Sequence, residues 1–151
     1  MRFAVTTPQG ADNLYLNKVE VYLFKRDMPK IILLAVGGIL GTLARYGLAG
    51  VVYEIFGTSF PYGTLIVNLS GCFIIGVLAA LADHKLLLSS DMKVLLMIGF
   101  CGAYTTFSTF IFETSNLIKD GETLRALLNV LVSVIVGFIV FRIGMFLGDI
   151  I

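Results

Sequence analysis

The sequence predicts an all-α membrane protein with four transmembrane helices, the third of them broken. Three observations carry that prediction. The chain is 58% hydrophobic and only 14% charged, with a mean hydropathy of +0.95, outside the balance of a water-soluble domain. Four apolar windows, Ile31 to Tyr53, Tyr62 to Ala82, Val94 to Phe112 and Ala126 to Leu147, each have the roughly 20 residues that a helix needs to cross a bilayer core of about 30 Å. The third window contains "GFCGAYTTFSTF", Gly99 to Phe110, where glycines and hydroxyl residues weaken a plain apolar helix. Four spans and short connections leave little chain for a soluble domain, so function must reside in the membrane-embedded part. A net charge of +1 without a clustered basic face argues against nucleic acid as a partner. Cys72 and Cys101 fall inside spans with no His or Cys at metal-ligand spacing; they read as small core residues.

Taken in order, residues 1 to 27 mix polar and apolar side chains, lack the continuous apolar core of a signal peptide, and stop before a second methionine, Met28. They read as an N-terminal extension, either disordered or the product of a misassigned start, with a short strand or surface helix around Leu14 to Phe24 as the alternative. Residues 28 to 151 form the four-helix domain. In the first span Gly37 and Gly41 make a small-xxx-small pattern, repeated by Gly144 and Gly148 in the fourth, which favours close helix packing. The only histidine, His84, follows the second span beside Asp83 and Lys85 and reads as a solvated loop residue. Counted from Met28, Lys30, Lys85 and Lys93 on one side face Lys119 and Arg125 on the other. Such a near balance suits a protein that inserts in both orientations, whereas Lys18, Lys25 and Arg26 of the extension would tip the N-terminus inward.

Polar side chains inside spans are the functional candidates, because burying them is unfavourable unless they are satisfied. Arg45 lies about eight residues, roughly 12 Å, from the end of the first span; it either pairs with a carboxylate, faces a wet vestibule or snorkels. Arg142 is nearer a span end and suits snorkelling. Asn68, with Thr64 and Gly71 at helical spacing around it, is open to an interhelical hydrogen bond or a ligand contact. Asn129, Ser133 and Gly137 recur every fourth residue as a narrow track, although Ser133 has a local alternative in bonding back to the Asn129 carbonyl. In the third span, weak helix formers at Gly99, Gly102, Thr105 and Thr106 point to a break, which frees backbone groups to hold an ion. Phe107 and Phe110 face one way, and Thr105, Ser108 and Thr109 another. Ring edges carry positive charge and attract small anions, but spacing alone favours core packing of the two rings.

"GGILGTLARY" in the first span, "GTLIVNLSGCFIIG" in the second and "GFCGAYTTFSTF" in the third together resemble the signature segments of the Fluc/CrcB family of fluoride-specific ion channels, in the same order and spans. The resemblance covers Met28 to the C-terminus. It implies a non-enzymatic channel in the bacterial inner membrane, built as an antiparallel, dual-topology homodimer with two pores and a structural sodium ion at its centre. Such channels let fluoride leave the cytoplasm passively and so lower its toxicity. By motif position, Asn68 would be the pore asparagine, Phe107 and Phe110 the rings that meet fluoride edge-on, Thr106 a further pore hydroxyl and Ser133 the serine of the polar track. The backbone carbonyls of Gly102 and Thr105 would hold the sodium. Asn129 stands where the family often has tyrosine, and its amide can donate to an anion much as a phenol does. Glu113 is open between a pore-mouth carboxylate and an ordinary helix-end charge. Arg45, Asn129 and Glu113 are accordingly the candidate pore or vestibule residues.

The chemistry agrees with that implication. Fluoride is strongly hydrated, so a selective pore must replace its water with neutral donors and avoid a full positive charge that would trap it. The main alternative is a small multidrug or cation exporter of the four-helix, dual-topology type. It requires a carboxylate within the first span, where Glu54 comes only at the end. A non-transporting scaffold protein would use its polar residues for helix contacts alone and would leave the break and the two-ring motif unexplained.

Overall fold

The computed structural model describes the backbone of residues 9–84 and 88–150, and side chains within 28–83 and 88–150. Every element is helical among the described residues. Four stretches are long and apolar enough to cross a membrane, Met28–Phe56, Tyr62–Asp83, Ser90–Lys119 and Thr123–Ile150. Each outruns its hydropathy window, because helical hydrogen bonding continues into the polar ends that hydropathy trims.

The first helix, α1 (Gln9–Phe56), has Pro29 inside it. Its backbone runs without interruption from residue 9 into the first span, so the stretch around Leu14 to Phe24 is helical rather than a strand. Residues 1–8 lie outside the described residues. Helix α1 ends where Gly57 takes a φ of 76° and donates its N–H to the Tyr53 carbonyl at 2.9 Å; that left-handed cap suits a residue without a Cβ. After a short loop comes α2 (Tyr62–His84). His84 closes that helix, while its side chain and Lys85 lie outside the described residues.

The third span is assembled from pieces. Ser89 caps the short α3 (Ser90–Met92) by accepting from the Met92 N–H, and a π-helical stretch, Lys93–Cys101, follows. Lys93 reaches across to donate to the Ala82 carbonyl near the end of α2 at 3.4 Å. Then come α4 (Gly102–Tyr104), two extended residues, and α5 (Phe107–Lys119). A tight turn through Gly121, φ 79°, leads into α6 (Thr123–Ile150).

Two glycine seams hold these helices together. A Cβ on Gly76 would fall on the Phe141 carbonyl, and one on Gly144 on the Phe73 carbonyl, so the backbones of α2 and α6 touch. Gly148 extends that seam against Val77 and Ala80. In the same way Gly37 and Gly41 of α1 lie against the backbone at Leu95 and Phe100. The glycines of both small-xxx-small patterns are thus contact points. Within lipid there is no hydrophobic drive between apolar helices, so close approach of this kind supplies much of the attraction. Large apolar side chains such as Leu43, Ile98, Ile135, Phe138 and Phe146 point outward, as a lipid-facing surface requires, and Arg142 is exposed among them.

Replacing Gly76 or Gly144 with alanine is expected to wedge α2 from α6 at a cost of about 1–3 kcal/mol, the usual range for overpacking. The check is the thermal unfolding midpoint in detergent, which should drop by several degrees. Gly47→Ala, which meets nothing within 4 Å, should leave it in place.

Candidate functional site

The break in the third span is pinned by one side chain from α2. Asn68 donates through Nδ2 to the Thr106 carbonyl at 3.0 Å and accepts the Thr106 N–H on Oδ1 at 2.8 Å. Both backbone groups of one residue are therefore satisfied by a single amide. Thr105 (φ −81°, ψ 157°) and Thr106 (φ −147°, ψ 117°) are extended, a conformation that suits β-branched residues. Thr106 then caps α5, its Oγ1 accepting the Thr109 N–H at 3.3 Å and donating to Thr109 Oγ1 at 2.9 Å. In an unbroken helix the N–H groups of Thr106 and Thr109 would bond to the carbonyls of Gly102 and Thr105. Diverted as they are, they leave those two carbonyls without their helical donors. Gly102 is exposed, and a Cβ there would meet nothing within 4 Å.

Next to the break lies a cavity of about 450 Å³. Asn68, Gly102, Thr105, Thr106, Phe107, Phe110 and Ser133 all line it, so one site gathers residues from the second and third sequence motifs with the serine of the fourth-span track, while the first motif contributes none of its lining. The rings of Phe107 and Phe110 are 5.8 Å apart between centroids and tilted by 39°. Their surroundings differ: Phe107 is 75% exposed and Phe110 only 8%. Ser133 Oγ is buried with no hydrogen-bond partner. The serine does not bond back to Asn129, and its hydroxyl remains uncommitted.

Arg45 and Glu113 meet at a second cavity of about 390 Å³, lined also by Tyr53, Thr64, Thr106 and Thr109. Glu113 Oε1 accepts from the Tyr53 hydroxyl at 2.9 Å, while Oε2 is buried without a partner. A third cavity, of about 430 Å³, reaches from Tyr53 and Glu113 to Asn116 and Asp120. Thr106 thus borders the first two cavities and Glu113 the second and third, which marks a polar path from the break toward one end of the bundle. Asn129 lines none of these cavities. It is 1% exposed and donates to Thr114 Oγ1 at 2.9 Å.

Some participants had no sequence reading attached to them. Tyr53, the partner of Glu113, sits near a span end like many interfacial tyrosines. Thr114 carries a signal that could have found it: a hydroxyl at helical spacing between Phe110 and Leu117, the other buried residues of α5.

Residues 32–145 match the family described as "CrcB-like protein, Camphor Resistance (CrcB)". The chain belongs to this family. Among relatives, a protein of Citrifermentans bemidjiense is 49% identical over 108 residues, covering 72% of this chain and 87% of its own length. One of Dehalococcoides mccartyi is 43% identical over 122 residues, or 81% and 94%, and one of Solidesulfovibrio magneticus is 42% identical over 124 residues, or 82% and 99%. All three are named fluoride-specific ion channel FluC. In this CrcB chain the matched region takes in the Asn68 clamp, the break and the cavity beside it.

Asn68→Leu is expected to leave the Thr106 N–H and carbonyl without partners, at about 1–3 kcal/mol for each unsatisfied group. Hydrogen–deuterium exchange across residues 105–109 should rise clearly. Exchange there unchanged from the parent protein would mean that Asn68 does not hold the break.

Proposed function

We propose that this chain is a fluoride-selective ion channel that lets fluoride leave the cytoplasm passively. The observation that carries the reading is the composition of the first cavity: uncharged donors and two phenylalanine rings together, with no Lys, Arg, Asp or Glu among the described residues that line it. Asn68 has a second amide N–H beyond the one given to Thr106, and Ser133 Oγ is uncommitted. Phe107 and Phe110 add positive ring edges. Such a set replaces the water of a small anion yet binds it weakly enough to release it. Arg45 and Glu113 act at the vestibule, where the second cavity joins the path. The names of the relatives agree with this chemistry.

The working unit is residues 28–151 as an antiparallel, dual-topology homodimer in the bacterial inner membrane, with residues 1–27 outside it. The exposure of Phe107 beside the cavity and the open space at Gly102 support a second copy facing the break. The nearly balanced Lys and Arg of the short loops support insertion in both orientations. At the dimer centre the carbonyls of Gly102 and Thr105 would hold a structural sodium ion; freed backbone oxygens of this kind suit a hard cation. When bound, the ion would offset the converging carbonyl dipoles.

A cation exporter is less well supported. Glu54 is exposed two residues before the end of α1, and no carboxylate lines the first cavity.

The protein starting at Met28, reconstituted in liposomes under a potassium gradient with valinomycin, should release fluoride electrogenically and largely exclude chloride. Absence of fluoride release would defeat the proposal. Phe107→Ile and Asn68→Asp should each cut flux by roughly tenfold or more, as for a lost hydrogen bond or equivalent contact, with the dimer still formed. Reporters at the C-terminus active on opposite sides of the membrane should both give signal.

A further inference from the structure

Asn129 is a buried primary amide on α6, between Leu128 and Val130, and it lines none of the cavities described above. An amide in that position is unfavourable unless it is bonded. Its Nδ2 donates to Thr114 Oγ1 of α5 at 2.9 Å, and that hydroxyl donates its single proton to the Phe110 carbonyl at 2.7 Å. The chain therefore has one direction, from Asn129 through Thr114 to Phe110. All three members are at most 8% exposed, where hydrogen bonds of this kind are stronger than in water.

The hairpin explains what the chain controls. Helices α5 and α6 meet at a turn closed by Gly121 N–H to the Ile118 carbonyl (3.1 Å) and Glu122 N–H to the Leu117 carbonyl (2.8 Å). Moving away from that turn on both helices, Thr114 comes level with Asn129. One helical turn further, about 6 Å, Phe110 comes level with Ser133. Both of these line the first cavity. Helix α6 packs mainly along α2, and its contact with α5 is much smaller, so little else sets the rotation of α5 against α6.

We infer that Asn129 is a positioning residue: acting through Thr114, it fixes the rotation and height of α5 and so places the Phe110 ring opposite Ser133. This deepens the channel reading, on which its consequence for flux rests. The placement of the ring does not depend on what crosses the membrane.

The test uses the full chain with para-fluorophenylalanine incorporated, and the Phe110 fluorine resonance is assigned by its loss in Phe110→Leu. Thr114→Val keeps the side-chain shape and removes the hydroxyl; it should move that resonance, as should Asn129→Leu. Thr114→Ser, which restores the hydroxyl, should leave it where the parent has it. In liposomes each of the two disruptive variants should lose about tenfold in fluoride flux, and the double variant should lose about tenfold as well, because partners in one network are not additive. An unmoved resonance in Thr114→Val overturns the inference, as does a double variant whose loss is the product of the single ones. Should Asn129→Leu fail to fold, Thr114→Val against Thr114→Ser still decides. If the parent protein carries no fluoride, the channel proposal fails while the resonance still tests the positioning role.

Discussion

A helix that crosses a bilayer cannot simply stop for two residues, because each orphaned amide or carbonyl would face hydrocarbon without a partner. Asn68 makes the interruption at Thr105 and Thr106 tolerable. Its side chain presents to Thr106 the donor and acceptor that a neighbouring peptide group would have presented, and Thr106 in turn caps the helix that follows. From that one contact the rest of the site follows: the released carbonyls at Gly102 and Thr105, the cavity beside the break, and the direction in which α5 carries Phe107 and Phe110. The clamp also joins the second span to the third, so the break is held by the bundle and not by local sequence.

Asn68 can reach Thr106 only because the helices around it approach closely. Gly71 of α2 lies against the Thr105 and Tyr104 side chains, leaving no room for a Cβ. A turn further along, Gly76 and Gly144 let α2 and α6 touch through their backbones, which brings Ser133 into the same cavity as Asn68. On the opposite flank, Gly37 and Gly41 seat the π-helical stretch against α1. Ser70 adds a polar link to the Tyr104 hydroxyl at 2.7 Å. Small residues at the seams and polar contacts between them are the two means of association that lipid leaves available.

The four spans were legible because hydropathy is a sum over many residues and survives local exceptions. The break was legible as a region, since glycine and β-branched residues both weaken helices, but its position was not. Gly99 stays within the π-helical stretch and Gly102 opens α4; what puts the interruption at Thr105 and Thr106 is Asn68, 38 residues away in sequence. The π-helical stretch itself was illegible, for "KVLLMIGFC" carries the same apolar character as an α-helical span. Asn129 was legible as out of place in an apolar helix and no further. Its partner Thr114 lies on another helix, and no periodicity within α6 could point to it.

The structural duty of Asn68 and the pore duty proposed for it would meet in the same amide, and they need not compete. Asn68 has two amide N–H groups, and Thr106 takes only one. The other belongs to a side chain already locked in place, so offering it to an anion requires no further ordering, and preorganised donors are the effective ones. Ser133 represents the opposite arrangement. Its hydroxyl has no partner within the protein and lines the same cavity, so its proton is not committed to the scaffold. One donor held rigid by the scaffold and one without a protein partner, in a cavity also lined by Phe107 and Phe110 and by no Lys, Arg, Asp or Glu, make up the uncharged set on which the channel proposal rests. Asn129, whose amide donates to Thr114 and which lines none of the three cavities, stands behind the lining as part of its frame.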